Sequence, residues 1–517
     1  MDGSPVTATL MPAAFYGTDF SEAPFEAPQP SEALDQKTAG KITPEKAETF
    51  RFLTHCQQQA IQTNHPKIAS ITFPIAPTAP WVVLSALGQS SQRHFYYDSP
   101  QQWAIVGLGV AVGCSAAGPL RFEQAQAFTQ TWKTQFIYAK NNSKADLAGR
   151  FFCSATFFDH PTKASTTSSS SIPQSQPFTV APSYFEPTYL FVPQVQVMTL
   201  TEGSTVTFNY LITATSEAKQ TTAHIYEQLR QINIADDLGG ARQASHKTVS
   251  KDVASFEGAV TEALGQLNQG RLHKVVLADV MDVVAPQAID VVRSLQTLRK
   301  NHPDCTVFSV GNGQGQSFIG ASPERLLSLN EGRLTTDALA GSASRGQTPE
   351  ADRDIAQALL NSEKERYEHQ VVVEFIVRQL RSLGLSPDYT SKPHILPLSN
   401  IQHLHTPITA QIDQHAVSPL KVLAKLHPTP AVAGLPRSLA CQLIRQHETF
   451  DRSLYTAPLG WIDTNGNSEF IVGIRSALID GCKARLYAGA GIVSGSEPDK
   501  ELAEIRLKLQ TLLNALV

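Results

Sequence analysis

The chain has 517 residues, 42% of them hydrophobic, which is enough apolar surface to bury one large core or two ordinary ones. Lysine and arginine total 42 against 46 aspartates and glutamates, so the formal charge is only -4. A chain this close to neutral has no broad basic field that would attract nucleic acid or anionic lipid. The six cysteines are scattered without a CxxC pair, which favours reduced core residues over a zinc site or a disulfide framework.

The amino-terminal segment is unlike a targeting peptide, because several acidic residues precede the first lysine. No apolar run approaches the ~20 residues needed to span a bilayer. These features predict a cytoplasmic protein that binds neither membranes nor nucleic acid. Residues 1–45 lack both helical and strand periodicity, so we expect an extended or disordered arm there.

Short apolar runs separated by Pro and Gly characterise residues 46–245. Examples are IASITFPI, QWAIVGLGVAVG, GRFFCSATFFD and STVTFNYLITAT, each of which predicts strand structure. The segment 160–182 is rich in Ser, Thr, Pro and Gln and is predicted to be a surface insertion. This part of the chain therefore predicts a β-rich amino-terminal half with one polar interruption.

Residues 250–517 alternate strand-like segments with clear helical patterns. The predicted strands are 273–284, 306–312, 469–479 and 484–493, and the predicted helices are 349–382 and 497–516. Ser496 followed by Asp499 resembles a capping box that would start the last helix. Strands and helices without regular βαβ alternation predict an α+β fold for this region, which we expect to carry the chemistry.

Two pairs of glutamates have the spacing that places both members on one face of a helix: Glu365 with Glu368, and Glu501 with Glu504. Carboxylates brought together from two helices would repel one another unless a hard cation lay between them, and Mg2+ prefers such oxygen ligands. Each pair also has lysine or arginine neighbours, so two solvated, ion-paired helix faces are the alternative interpretation.

Three further features suggest a site for an anion or a base. Gly489 and Gly491 precede the last helix, where exposed backbone N–H groups would approach a small carboxylate. Arg475 and Lys274 each lie among apolar residues, where an unpaired charge is costly. Arg475 is therefore expected to meet an anion, and burial would make Lys274 a candidate general base. A structural turn and structural ion pairs remain the alternatives.

The same region resembles the chorismate-utilising enzymes, the family of anthranilate synthase component I. The resemblance rests on ordered blocks that include HKVVLAD, FIGASPERLL, TTDALAGSASRG, SEKERYEHQVVV, IQHLHTPI, LHPTPAVAGLPR, LYTAPLGW and YAGAGIVSGSEPDKELAEIRLK. It is close over residues 250–515 and weaker in the amino-terminal half. The implied fold is a large sandwich of two antiparallel sheets with helices packed outside.

The resemblance also implies a set of site residues. Mg2+ would be held by Glu368 and Glu504, with Glu365 and Glu501 around them. The substrate-binding residues by resemblance are Tyr455, Arg475, Gly489, Gly491, His403, Lys508 and the ALAGS residues Ala340, Gly341 and Ser342. Tyr455 and Arg475 match positions that hold the pyruvyl carboxylate of chorismate. Two departures from the family pattern are His405, where a small residue is frequent, and Thr456-Ala457, where Gly is common.

Within the family, the nucleophile distinguishes the members. By resemblance, family members that use ammonia usually have glutamine at the position of Lys274, so lysine here favours water as the nucleophile. Ala340 stands where enzymes that attack with their own amine carry a lysine. We expect Lys274 to act as base and Glu324 as acid in an isochorismate synthase. A salicylate synthase and a non-catalytic chorismate-binding relative are the alternatives. We also expect a monomer or homodimer without a glutamine amidotransferase subunit; the downstream pathway is left open.

Overall fold

The computed structural model describes residues 44–101, 103–139, 149–160, 184–234, 248–250, 254–399, 401–413 and 417–516. The predicted arm over 1–45 and the predicted insertion over 160–182 lie outside these residues, apart from their end positions. The helices are α1 (Pro44–Thr63), α2 (Pro80–Leu87), α3 (Arg121–Lys133), α4 (Ala218–Asn233), α5 (Ala254–Asn268), α6 (Val291–Asn301), α7 (Pro349–Asn361), α8 (Glu363–Ser382), α9 (Pro419–Leu426), α10 (Arg437–His447) and α11 (Pro498–Leu513).

The strands of the amino-terminal part are β1 (Lys67–Ile75), β2 (Arg93–Ser99), β3 (Trp103–Leu108), β4 (Val112–Ala116), β5 (Phe136–Tyr138), β6 (Arg150–Ala155), β7 (Thr188–Val192), β8 (Val195–Leu200), β9 (Gly203–Ile212) and β10 (Thr248–Ser250). Those that follow are β11 (Lys274–Val284), β12 (Thr306–Asn312), β13 (Gln316–Ser322), β14 (Arg325–Asn330), β15 (Arg333–Ser344), β16 (Asp388–Tyr389), β17 (His394–Pro397), β18 (Ile401–Gln411), β19 (Gly434–Leu435), β20 (Pro458–Asp463), β21 (Ser468–Val472), β22 (Ser476–Asp480) and β23 (Lys483–Ile492).

The strands form two large sheets. The first runs β10-β11-β23-β22-β13-β12-β2-β3-β8-β9-β1-β5, with β19 beside β11. The second runs β16-β18-β15-β14-β21-β20-β6-β7-β4, with β17 beside β18. Neighbours pair antiparallel, except that β1 and β5 pair parallel. Both sheets contain strands from each half of the sequence, so the two halves share one β-sandwich rather than forming separate cores.

An aromatic layer holds the two sheets face to face. Phe95 of the first sheet stacks on Phe152 of the second, with ring centroids 4.8 Å apart, and both side chains are fully buried. Trp103 and Trp461 meet edge to face across the same interface at 6.1 Å. Large apolar rings bury much area and favour these offset and edge contacts. The expected two-sheet antiparallel sandwich with outer helices is therefore confirmed.

The alternating apolar patterns locate most strands closely, with β12 at the predicted residues and β11 and β23 within one residue of them. The predicted single helix over 349–382 is wrong, because the chain breaks at Ser362 into α7 and α8. The Ser362 hydroxyl accepts a hydrogen bond from the Glu365 backbone N–H and so caps α8. This start of α8 sets the positions of Glu365 and Glu368 on the helix.

Two further predictions about local structure need correction. The segment 469–479 is not one strand: β21 belongs to the second sheet and β22 to the first, and Arg475 lies in the connection between them with φ of +48°. The capping box at Ser496 does not form. Glu497 occupies the cap position of α11, and the Ser496 hydroxyl instead accepts from the Val493 N–H.

Helices α8 and α11 lie beside one another near the carboxyl-terminal strands, since Lys364 of α8 contacts Glu501 of α11 at 3.1 Å. Helix α8 packs on β15 and β18 of the second sheet, and α11 packs on β23 of the first. The two glutamate pairs predicted from spacing are therefore carried by helices that flank the same part of the sandwich. Within the described ranges, no helix has the length and apolar character required to cross a membrane.

Candidate active site

Two adjacent chain crossings between the sheets form the base of the site. The chain leaves β13 of the first sheet at Ser322 and enters β14 of the second at Arg325, which places Glu324 between the sheets. Arg475 occupies the neighbouring crossing from β21 to β22. Backbone hydrogen bonds tie the crossings together: Val472 N–H donates to Glu324 O at 3.1 Å, and Ala321 N–H donates to Arg475 O at 3.1 Å. Side chains distant in sequence thereby face one cavity.

The cavity has a volume of about 120 Å3 and is walled by both sheets, α8 and α11. Most of the residues predicted for the site line it, namely Glu324, Ala340, Gly341, Ser342, Glu368, His403, Tyr455, Arg475, Gly489, Gly491, Glu504 and Lys508. Lys274 lies directly behind this lining, and its Cε is 3.2 Å from the position that a Cβ on Gly491 would occupy. Glu365 and Glu501 are not among the lining residues. Glu365 contacts the lining residue Ser342, and Glu501 contacts Lys364.

Lys274 is the first residue of β11 and is almost fully buried, with 1% of its surface exposed. Its Nζ forms an ion pair with Glu368 Oε1 at 2.8 Å. The adjacent Gly491 has no side chain for a steric reason, because a Cβ there would come within 2.5 Å of the same Oε1 atom. The buried amine and its carboxylate partner therefore have a fixed geometry at the wall of the cavity.

Glu324 is 5% exposed, and burial raises its pKa to about 8, with the nearby Lys274 charge opposing and Asp337 adding to that rise. A carboxyl group with this pKa holds its proton near neutral pH and can donate it. Glu324 in the cavity lining and Lys274 directly behind it thus provide a protonated acid and an amine close to one cavity. Groups with such different roles in one cleft are typical of acid–base sites.

The remaining glutamates are each held by a cation or a backbone donor. Glu501 accepts from Lys364 Nζ at 3.1 Å. Glu504 pairs with Lys508 at 2.6 Å, and although burial raises its pKa, the surrounding lysines lower it overall. Glu365 accepts from the Ser342 N–H at 3.1 Å, and its pKa is raised by burial and by the charges of Glu368 and Glu504.

The ion-paired alternative considered for these helix faces is therefore part of the observed arrangement. Within the described ranges, the side chains as they stand bring no three His, Cys, Asp or Glu residues into a metal-binding group. The donor set nevertheless fits a hard divalent cation, since Glu365, Glu368 and Glu504 interact electrostatically. A cation among them would relieve the repulsion that raises the pKa of Glu365.

Arg475 is the anion-binding candidate in the cavity. Its guanidinium contacts Cys305 Sγ at 3.6 Å and His403 Nε2 at 3.3 Å, and no carboxylate of the described residues forms an ion pair with it. Because arginine only donates, Nε2 of His403 accepts, and Nδ1–H of His403 donates to Ser342 Oγ at 2.9 Å. Burial and the Arg475 charge lower the pKa of His403 well below its usual value, so the ring is neutral.

Gly489 and Gly491 differ from their predicted setting. Both lie inside β23 and pair with Ala278 and Val276 of β11, rather than presenting free N–H groups at a turn. They contribute space: a Cβ on Gly489 would lie 2.8 Å from Tyr455 Oη. The carbonyl of Gly489 accepts from Lys508 Nζ at 2.9 Å. The glycines thus let functional side chains approach the sheet, as glycine does wherever close contact is needed.

Sequence reasoning missed several residues of the site. Tyr487 stacks on Tyr455 with centroids 5.2 Å apart and lines the cavity, but its strand pattern is that of an ordinary core residue. Lys364 forms an ion pair with Glu501 and lies 3.7 Å from Glu365. Its position next to Glu365 in the sequence was the one signal for this contact. Thr456 lines the cavity with φ of +60°, at the position where Gly was noted as common.

The other departure from the family pattern, His405, forms hydrogen bonds with two neighbouring side chains. Its Nε2 lies 3.0 Å from Asp337 Oδ1, and its Nδ1 lies 3.0 Å from His394 Nε2. His405 is absent from the residues that line the described cavity. His405 therefore contacts side chains of the strands beside the site and is not part of the cavity wall.

The lining of the cavity contains a protonated glutamate, clustered carboxylates and an arginine without a carboxylate partner among the described residues, and a buried lysine lies behind it. This combination defines an enzyme site for a small anionic substrate. Residues 52–517 match the family described as chorismate binding enzyme, and the chain belongs to this family.

Curated relatives extend the comparison. The salicylate biosynthesis isochorismate synthase of Pseudomonas aeruginosa is 33% identical, over 89% of this chain and 92% of the relative. The isochorismate synthase MenF of Bacillus subtilis is 30% identical, over 90% of this chain and 98% of the relative. Both alignments span nearly the whole chain, including the amino-terminal half in which the sequence blocks are weaker.

Solved structures agree on the fold. The menaquinone-specific isochorismate synthase MenF from Escherichia coli superposes with a TM-score of 0.69 at 25% identity, over 90% of this chain and all of that one. The anthranilate synthase component I from Streptococcus pneumoniae has a TM-score of 0.60 at 18% identity, over 80% of this chain and 92% of that one, which is a likeness of fold alone. The expected family is confirmed.

Proposed function

We propose that this chain is an isochorismate synthase that adds water at C2 of chorismate and removes the C4 hydroxyl group. The observation that carries the proposal is the pair of Lys274 and Glu324 at one cavity, with the pKa of Glu324 raised to about 8. The relatives that align over most of the chain carry isochorismate synthase in their names, which supports the same activity.

In the proposed reaction, Lys274 in its neutral form takes a proton from water as the water oxygen bonds to C2. The ring double bonds shift, and the bond from C4 to its hydroxyl oxygen breaks. Glu324 donates its proton to that oxygen, so the group leaves as water. One water enters and one leaves, and the substrate and product are isomers.

The other predicted residues would bind and orient the ring. Arg475 and Tyr455 would hold the pyruvyl carboxylate, which would supply the guanidinium with the carboxylate partner it lacks within the described chain. His403, held by Ser342, would lie beside the ring, with Ala340 and Gly341 completing this wall. Gly489 and Gly491 would leave room for it, and Lys508 would remain on Glu504.

We propose Mg2+ as the cofactor, held mainly by Glu368 and Glu504 with Glu365 and Glu501 around them. When bound, the ion neutralises the ring carboxylate of the substrate and restricts its orientation. The protein's part is to present these oxygen donors from two helices. Lys274, Lys364 and Lys508 balance the same carboxylates in the structure as it stands.

The test is to incubate purified protein with chorismate and Mg2+ near neutral pH, with and without ammonium, and to separate the products by liquid chromatography with mass detection. Isochorismate as the product, lost on addition of a chelator and unaffected by ammonium, is the expected result. Salicylate with pyruvate would show the elimination reaction instead. Anthranilate would contradict the role of Lys274, and binding without turnover would indicate a non-catalytic relative.

A further inference from the structure

A second cavity lies outside the site described above. Its volume is about 500 Å3, and it is open to solvent and lined by the first residues of α3, the segment 157–159, the end of α9 and one face of α10. None of the residues predicted or proposed for chorismate chemistry lines it. We call it the α10 cavity. Its size is within the range of small-molecule sites in proteins.

Arg121 is the most unusual residue of the α10 cavity, because it is 4% exposed and forms no ion pair with a carboxylate of the described residues. Its Nη1 donates to the carbonyl oxygens of Phe158 and Pro187 and to Thr156 Oγ1. Burial lowers the pKa of Arg121 to about 10, so the group is still charged at neutral pH. The Asp159 carboxylate acts on Arg121 electrostatically but forms no ion pair with it, and a buried cation in this setting favours an anionic partner.

The rest of the lining is a mixture of aromatic walls and one further cation. Phe157 and Phe158 meet edge to face with centroids 4.7 Å apart. Arg445 lies over the Phe158 ring at 4.1 Å, and its nearest carboxylate, Asp159, is 3.8 Å away. Burial lowers the pKa of His427 to about 3, so this lining residue is neutral. Two arginines against one aspartate leave the lining with one excess positive charge.

We propose that the α10 cavity binds a small aromatic carboxylate, with its anionic group at Arg121 and its ring against Phe157 and Phe158. The carboxylate would give Arg121 the ion-pair partner that no described residue provides, and the ring would cover the exposed part of Phe158, since Phe157 is already only 3% exposed. The site is separate from the proposed chorismate cavity in its lining residues.

The contacts of Arg452 connect the two cavities. The guanidinium of Arg452 lies over the Phe157 ring at 4.5 Å on one side. On the other side it donates to Val432 O and Val276 O at 2.8 Å each, and to Thr456 Oγ1 at 3.3 Å. Val276, Val432 and Thr456 all line the chorismate cavity.

The loop that carries Tyr455 is held in an uncommon backbone conformation at both ends. Ser453 and Thr456 have φ of +49° and +60°, values that residues other than Gly seldom adopt. The Phe157 N–H donates to Ser453 O at 2.8 Å, so a wall of the α10 cavity is bonded to this loop. Occupation of the α10 cavity is therefore expected to change turnover at the neighbouring cavity.

Binding is tested by calorimetric titration of the full chain with benzoate. Ser438→Trp places a large side chain into the α10 cavity from an exposed position on α10, and Gln446→Trp places the same side chain on that helix outside the cavity. We expect the wild type and Gln446→Trp to bind benzoate, and Ser438→Trp to lose at least about tenfold in affinity. Arg445→Gln is expected to weaken binding about threefold to tenfold.

A kinetic measurement separates the two cavities and is the one part that rests on the proposed function. Benzoate should lower kcat in the wild type and Gln446→Trp without competing with chorismate, and this effect should vanish in Ser438→Trp. Equal benzoate affinity in Ser438→Trp and the wild type would overturn the proposal, as would binding of inorganic phosphate in place of benzoate. Purely competitive inhibition would place benzoate in the chorismate cavity and overturn the proposed coupling. The titration needs no turnover, so its outcome is independent of the proposed activity.

Discussion

Two arginines near the Tyr455 loop, Arg452 and Arg475, differ in how their charges are balanced. Arg452 is fully buried, and its Nε and Nη2 donate to the Glu448 carboxylate. Its Nη1 and Nη2 also donate to the backbone carbonyls of Val432 and Val276. Arg475 is largely enclosed too, yet within the described chain its guanidinium meets only Cys305 and the neutral His403. The charge of Arg452 is balanced by Glu448, whereas the charge of Arg475 is available to an anionic ligand.

This difference shows how a buried charge can be classified from its partners. A buried ion pair is strongly destabilised when one partner is removed, because the other charge is left uncompensated. For a buried cation without a carboxylate partner, the free-energy cost of burial falls when a ligand brings the opposite charge. Substitutions at the two arginines are therefore expected to affect different properties, stability for Arg452 and substrate binding for Arg475.

The largest expected effect is that of Arg452→Met on stability. It leaves Glu448 as an uncompensated buried carboxylate, so the free energy of unfolding should fall by about 3–5 kcal/mol, measured by chemical denaturation. The double variant Arg452→Met with Glu448→Leu removes both charges and should recover part of this loss. A single variant as stable as the wild type would show that the pair does not stabilise the fold.

The second-largest expected effect is the loss of catalysis when a proposed proton carrier is replaced. Lys274→Ala and Glu324→Gln should each lower kcat for isochorismate formation by about 10²-fold or more, because each removes a proposed proton carrier. Glu469→Gln is the matched control for Glu324→Gln, since Glu469 is a partly buried glutamate whose pKa burial also raises, but it does not line the cavity. Full water addition by folded Lys274→Ala would refute the proposed base.

Arg475→Gln should act on binding rather than on stability. Loss of a charged hydrogen bond to the substrate carboxylate, worth about 1.5–3 kcal/mol, should raise KM for chorismate by about 10-fold to 100-fold. The unfolding free energy should change little, since no carboxylate of the described chain loses a partner. An unchanged KM together with a large loss of stability would place Arg475 in the same structural class as Arg452.

The smallest expected effect is a pH dependence. The proposed acid must be protonated, and the pKa of Glu324 is raised to about 8, so kcat should fall as the pH rises above about 8, approaching tenfold per pH unit. The pH profile of Glu469→Gln should keep this decline. A kcat that stays constant to pH 10 would show that Glu324 does not supply the proton.

Much of the site was predictable from local sequence. Glutamates three residues apart on a helix share a face whatever surrounds them, so Glu365 with Glu368 and Glu501 with Glu504 followed from spacing. Alternating and continuous apolar residues located β11, β12 and β23 closely. A lysine between apolar residues predicted the burial of Lys274, and the ordered blocks indicated the family. These features depend on neighbours along the chain.

Other features were decided only by the tertiary structure. Glu324 and Arg475 meet because the chain crosses between the sheets at both points, and a single apolar pattern over 469–479 contains no sign of that crossing. The space at Gly489 and Gly491, the pKa of Glu324 and the partner of each lysine all depend on residues far away in sequence. Local periodicity determined which residues turn inward, whereas long-range packing determined which charges are balanced by the protein and which are available to a ligand.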